Sequence, residues 1–212
     1  MTQTQTKPRL YTFDEFIEWY PENSTQRYEL FNGTIIEMPP PTGEHESIVG
    51  FLTVRFTLQF VQMDLPYIIP KTAFVLPPGN DSAYSPDVLV VNHPNALAEP
   101  SWKKASTLTQ GASVPLVVEV VSTNWRDDYH DKFARLQSMG IGEYWIVDYA
   151  ALGGRKFIGN PKQATIFVCE LIDGEYQMTP FRGNDLIVSP TKPQLNLTVQ
   201  QIFDSGTVNF TA

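Results

Sequence analysis

Glu119 stands inside Leu116-Val117-Val118-Glu119-Val120-Val121, where every neighbour is aliphatic. A short continuous run of this kind is the pattern of a buried central strand. A carboxylate there is stripped of water, which costs several kcal/mol unless it gains a cation, a metal or a proton. Strand alternation puts Glu119 on the face of Val117 and Val121. Asp87 is a second acid in such a setting: it follows Ser85-Pro86 and opens Val88-Leu89-Val90-Val91. Two strands that each carry one acid can bring both acids onto one hard cation. Mg²⁺ suits such a place, since it takes one or two carboxylates, a carbonyl and several waters. Lys132 is the third element. It falls on the helix after the Glu119 strand, where Asp128, Lys132, Arg135 and Met139 share a face. A lysine aimed at a metal-bound water or a phosphate stabilises the charge that develops there.

Each of these residues also has a plainer reading. Glu119 fits an exposed strand end or an arginine pair. Asp87 fits a turn acceptor after proline, and Lys132 fits a solvated partner of Asp128. Glu29 alternates with Tyr28 and Leu30, so it faces either the same site or solvent. His45 begins a long helix, where a neutral or capping role is the commoner one. His93 and His130 carry no partner signal. Ser122 lacks the G-x-S-x-G setting of a serine hydrolase. There is no G-x-G-x-x-G and no G-x-x-x-x-G-K-[ST], and Gly153-Gly154-Arg155 reads as a turn.

The elements that must position these residues follow from local pattern. Residues 1–9 read as a flexible lead and 10–212 as one domain. Thr12-Phe13-Asp14-Glu15 is a capping-box pattern, so a helix is expected from about Thr12 to Tyr20. Arg27–Phe31, Asn32-Gly33 and Thr34–Met38 predict a hairpin with a type I′ turn. After the Pro39-Pro40-Pro41 run comes a long apolar helix, about Glu44 to Met63. Tyr67–Val75 is β-rich, with Pro70 marking an irregularity. Asp87–Val91, Leu116–Val121 and Glu143–Asp148 are strands, and Asp127–Met139 is a helix ended by Gly140. Thr165–Ile172 and Tyr176–Phe181 flank Asp173-Gly174 as a second hairpin. Thr198–Phe203 is a last short helix. Strands and helices interleave with hairpins at both ends, which predicts an α/β or α+β domain on a mixed sheet with flanking helices.

Composition narrows the function. The 212 residues carry a formal charge of −8, so bulk charge does not draw the chain to nucleic acid or to an anionic membrane. The charge is uneven, however. Residues 101–162 hold 8 basic and 6 acidic side chains, against 5 and 12 in residues 1–100. A polyanion, if bound, belongs to the middle segment. Cys169 is the only cysteine, so no intrachain disulfide can form, and its apolar surroundings suit a buried thiol. No cluster of Cys and His suggests structural zinc. No apolar stretch approaches a membrane span of about 20 residues, and the first residues lack a signal-peptide core. A cytoplasmic protein is expected.

Several of these motifs together resemble a known family. Pro86-Asp87 and Glu119-Val120-Val121 look like the core of the PD-(D/E)XK nucleases. Tyr28-Glu29-Leu30 with Gly33, Met38-Pro39-Pro40-Pro41, Glu44-His45 and Ser85-Pro86-Asp87-Val88 are similar to the Uma-type restriction-endonuclease family. So are Val118 to Ser122, Lys132 through Gly140 to Glu143-Tyr144-Trp145-Ile146-Val147-Asp148, and Leu195–Phe203. The resemblance spans about Thr12 to Phe203. It implies a restriction-endonuclease-like fold and Mg²⁺-dependent cleavage of phosphodiester bonds in DNA, with Mn²⁺ as a substitute metal. It implies Asp87, Glu119 and the carbonyl of Val120 as metal ligands. It implies Lys132 as the catalytic lysine, because the superfamily's usual lysine position is occupied here by Val121. Glu29 is a secondary acid in this scheme. Val121 and the net charge also keep a second expectation open: a nuclease-fold binding or assembly module without catalysis. The apolar helix 44–63 permits a homodimer, which would suit cleavage of two strands.

Overall fold

The computed structural model describes residues 9–22, 24–192 and 194–207, so most of the expected lead lies outside the described residues. The chain begins with α1 (Phe13–Trp19), capped reciprocally by Thr12 and Glu15 as the sequence predicts. Next come β1 (Arg27–Phe31) and β2 (Thr34–Met38), an antiparallel hairpin. Its turn residues Asn32 and Gly33 have φ of 48° and 74°, the two positive values that a type I′ turn needs. A side chain at Gly33 would also strike Leu10, since its Cβ would lie 2.9 Å from that of Leu10.

The long helix α2 (Gly43–Gln62) follows the proline run, with the Thr42 hydroxyl capping the amide of His45. Beyond it lie β3 (Tyr67–Ile68), β4 (Phe74–Val75), β5 (Val88–Asn92), α3 (His93–Ala98), α4 (Pro100–Ala105) and β6 (Thr107–Leu108). The second half holds β7 (Leu116–Val120), a π-helical segment Asp127–Lys132 running into α5 (Phe133–Met139), and β8 (Glu143–Asp148). It ends with α6 (Arg155–Ile158), β9 (Thr165–Ile172), β10 (Glu175–Phe181) and α7 (Val199–Thr207).

Six strands form one mixed sheet in the order β10-β9-β8-β7-β5-β3. Only β7 and β8 run parallel within it; the other pairs are antiparallel. The molecule is thus an α+β protein with a mixed sheet flanked by helices. Two small sheets, β1-β2 and β4-β6, stand outside it. The expected strand 67–75 is two short strands, because Pro70 removes a ladder donor where the chain leaves one sheet for another. The expected helix 127–139 begins with π-helical rather than α-helical turns.

Alternation along the strands divides the core. On one face Val88, Val90, Leu116, Val118, Trp145 and Val147 pack against Ile48, Leu52 and Phe56 of α2 and Val199 and Ile202 of α7. On the other, Leu89, Val91, Val117, Val121, Tyr144 and Ile146 pack against Tyr129 and Leu136. Burying each such side chain contributes roughly 1.5–3 kcal/mol. A third cluster of Phe13, Phe16, Leu30, Phe74 and Ala83 fixes α1 and the first hairpin beside the sheet. Reciprocal bonds between Leu30 and Ala83, at 3.1 and 2.8 Å, join that hairpin to the chain entering β5.

Candidate active site

The site forms where β5 begins and β7 ends. Val88 pairs with Val118, so one residue further out Asp87 stands opposite Glu119. The predicted facing of Glu119 holds: Val117 and Val121 pack on that side of the sheet. Asp87 Oδ2 accepts from the amide of Val120 at 2.9 Å, which ties the acid to the neighbouring strand. Lys132 reaches in from the end of the π-helical segment. Its Nζ lies 3.0 Å from Glu119 Oε1, 3.6 Å from Asp128 Oδ1 and 3.7 Å from Glu29 Oε1. A π-helical turn of this kind is common at functional sites, because it re-aims side chains that a regular helix would present elsewhere. Arg135 does not share the face as the sequence suggested. It turns away to Asp81 at 3.0 Å and to Asn32.

Glu29 therefore faces the site and not solvent. Its carboxylate also accepts from the amide of Ser85 at 2.9 Å, so the first hairpin delivers it against the Ser85-Pro86-Asp87 segment. Glu29, Glu119, Asp128 and Lys132 are each at most 6% exposed. The plainer readings of Lys132 as a solvated residue and Glu119 as an exposed strand-end acid do not hold.

His45 was passed over by sequence reasoning. It sits at the start of α2 on the opposite side of the sheet and reaches round the strand ends. Its Nε2 lies 3.2 Å from Asp87 Oδ2 and 3.1 Å from the Val120 carbonyl oxygen. Its sequence signal, a histidine three residues past a capping threonine, is indistinguishable from a cap. Asp128 was seen only as a surface partner of Lys132. Arg27, which donates to the Ser85 carbonyl at 3.0 Å and lies 3.9 Å from Asp87, had no signal at all.

The electrostatics follow from the packing. Burial pushes Glu119 well above the usual carboxylate range, and Asp87, Asp128 and Glu29 add to this against the opposing charge of Lys132. Burial likewise raises Asp128 to about 7. Burial works against charged Lys132, but the surrounding carboxylates outweigh it and hold the ammonium well above its ordinary value. For Asp87, burial is outweighed by His45, Lys132 and the Val120 amide, so its carboxyl is lowered. Four acids thus surround one lysine and one histidine, an excess of acidic groups.

That excess fits a divalent cation. Asp87, Glu119 and the Val120 carbonyl supply hard oxygens at one end of two paired strands, the small protein ligand set that Mg²⁺ accepts alongside water. Among the described residues no three His, Cys, Asp or Glu side chains are grouped so as to hold a metal ion by themselves. The cleft over them is lined by Met38–Pro41, Ser122–Asn124 and Leu152.

The family model described as "Putative restriction endonuclease", Uma2, matches residues 13–200. The chain belongs to the Uma2 family. A comparison with curated proteins finds no match. Among solved structures, the Uma2 chain is similar to a putative nuclease belonging to DUF820 from Anabaena variabilis ATCC 29413. The two share 18% identity with a TM-score of 0.70, over 92% of this chain and 98% of the other, which is a likeness of fold. No helix among the described residues is long and apolar enough to cross a membrane.

Proposed function

We propose that this Uma2 protein is an endonuclease that hydrolyses phosphodiester bonds in DNA with Mg²⁺, or Mn²⁺ in its place. The observation that carries the reading is half-buried Asp87 beside the buried Glu29, Glu119 and Asp128 that surround Lys132 in the cleft. Membership of a family described as restriction endonucleases supports it.

Asp87, Glu119 and the Val120 carbonyl are the ligands in this reading. A divalent ion, if held there, would supply Lewis acidity toward a scissile phosphate and a bound water. Asp87 is positioned by the Val120 amide, and His45 steadies both Asp87 and the Val120 carbonyl. Lys132 substitutes for the lysine that Val121 cannot supply. Its ammonium donates to the attacking water or to the phosphate oxygens as negative charge builds. Glu29 and Asp128 hold Lys132 in place, and Glu29 is a secondary acid facing the same space.

Calorimetric titration of Mn²⁺ and Mg²⁺ into wild type and Asp87→Asn/Glu119→Gln tests the site. Saturable binding that the double variant loses is expected, together with metal-dependent nicking of plasmid DNA by wild type alone. Lys132→Ala is expected to abolish nicking while Mn²⁺ still binds. Metal-dependent nicking that persists in the double variant would overturn the assignment. Metal and DNA binding without nicking would instead favour a nuclease-fold module without catalysis.

A further inference from the structure

The net charge of −8 conceals where the exposed charge lies. Of the six acids in residues 101–162, Glu119, Asp128, Glu143 and Asp148 are buried and Asp127 is half-buried. Of the eight bases there, only Lys132 is buried, and half-buried Arg135 pairs with Asp81. Six exposed cations therefore face solvent from this segment, Lys103, Lys104, Arg126, Arg155, Lys156 and Lys162, against one exposed acid, Asp131.

Four of the six gather beside the cleft for a topological reason. Strands β7 and β8 are parallel, so the chain that follows each leaves the sheet at the same end, which is the end that holds Asp87 and Glu119. After β7 come Ser122, Thr123 and Asn124 on the cleft wall, then Trp125 and Arg126. After β8 come Leu152, which also lines the cleft, then Gly154, Arg155 and Lys156. The two segments touch: a Cβ on Gly154 would lie 3.0 Å from the Trp125 ring. Lys162 folds back onto the Leu152 carbonyl at 2.9 Å.

Two of these cations are also held by aromatic rings. The Arg126 guanidinium lies 4.7 Å from the Trp125 ring centroid, and Lys156 Nζ lies 4.5 Å from that of Phe157. Arg126, Arg155 and Lys156 form no ion pair with the described residues. Aromatic backing restricts the side chains before any ligand arrives, which reduces the ordering cost of binding. A solvated, functionless face needs neither the gathering at one end of the sheet nor the ring support.

We propose that the rim built from Trp125, Arg126, Arg155 and Lys156 is where the phosphodiester backbone of a DNA strand lies as it leaves the cleft; this rests on the nuclease reading above. The rim supplies the positive surface that the acidic cleft lacks, so backbone contact and bond cleavage are divided between neighbouring parts of one edge.

Anisotropy of a labelled DNA duplex with the full chain tests the rim, at several salt concentrations and in Ca²⁺ without Mg²⁺. Arg126→Ala/Arg155→Ala/Lys156→Ala is expected to weaken binding at least tenfold. Its log Kd should depend on log salt less steeply by about 2–3, since each lost phosphate contact removes about 0.9. Lys103→Ala/Lys104→Ala, on α4, is the control and should bind as wild type does. Equal binding by wild type and the triple variant would overturn the rim and leave the nuclease reading standing. DNA binding that the triple variant loses, in a protein that never nicks DNA in Mg²⁺, would uphold the rim and remove the nuclease. A wild type that binds no DNA even at low salt would overturn both.

Discussion

Lys132 Nζ donates to Glu119 Oε1 at 3.0 Å, and both groups are buried. The pair joins the end of the π-helical segment to the end of β7 through two residues 13 positions apart. Removing one member of a buried pair leaves an uncompensated charge and costs about 3–5 kcal/mol. Lys132→Met should therefore be strongly destabilised in metal-free urea unfolding. Glu119→Gln/Lys132→Met should be less destabilised than the sum of the single changes, with a coupling of about 1–3 kcal/mol. Additive effects would show that the contact carries no energy of its own.

His45 gives a second outcome. One nitrogen contacts both Asp87 and the Val120 carbonyl, two of the three proposed ligands. Changing a group that orients ligands typically weakens metal affinity 10–100-fold. His45→Asn should lower Mn²⁺ affinity by at least about tenfold while helical ellipticity is kept, since the Thr42 cap on α2 bonds a backbone amide and not the imidazole. Unchanged affinity would reduce His45 to a clip between α2 and β7.

Gly153 carries a third. A Cβ there would lie 2.8 Å from both Asp148 Oδ2 and the Tyr129 hydroxyl. Those two groups are themselves bonded at 3.0 Å, and Asp148 also accepts from the amides of Leu152 and Gly153. This knot pins the π-helical segment to the end of β8, so Gly153→Ala must displace one or the other. A loss of about 1–3 kcal/mol is expected. For a domain of this size that is roughly a 2–12 °C fall in melting temperature. A melting temperature equal to wild type would show that the knot yields freely.

The strands that hold the site were legible because continuous apolar runs can satisfy themselves only inside a sheet. Leu116–Val120, Val88–Asn92 and Glu143–Asp148 all lie where their residues predict, and both Asn-Gly and Asp-Gly turns close their hairpins. An acid in such a run announces itself by its cost. The short strand β6 was not legible, nor was the separation of β3 from β4 into different sheets, since two residues take their pairing from partners and not from pattern. Nor was the π-helical segment, because apolar spacing does not encode where a helix widens. His45 escaped for a different reason: its contact with Val120 spans 75 residues, which no local pattern records. Asp128 and Glu29 needed the fold to decide between site and solvent.

Lys192 sets a pH dependence far from the cleft. Its ammonium is buried 4.6 Å from the ring centroid of Phe60, 5.2 Å from that of Tyr67 and 5.8 Å from that of Phe56. Burial lowers it to about 8, with only partial compensation from the charge of Glu143. In the unfolded chain a lysine titrates near 10.4. Between these values the unfolded state binds more protons than the folded one, so stability rises with pH from about 8 to about 10.4. Below pH 8 the full penalty of burying the charge applies. The gain across the window is at most about 3 kcal/mol, at about 1.4 kcal/mol per pH unit. Urea unfolding of wild type should show a higher midpoint at pH 9.5 than at pH 7.5. Lys192→Met, which keeps the apolar stem and loses the charge, should be at least as stable as wild type at pH 7.5 and should lose this rise. A rise of equal size in both proteins would assign it to other groups.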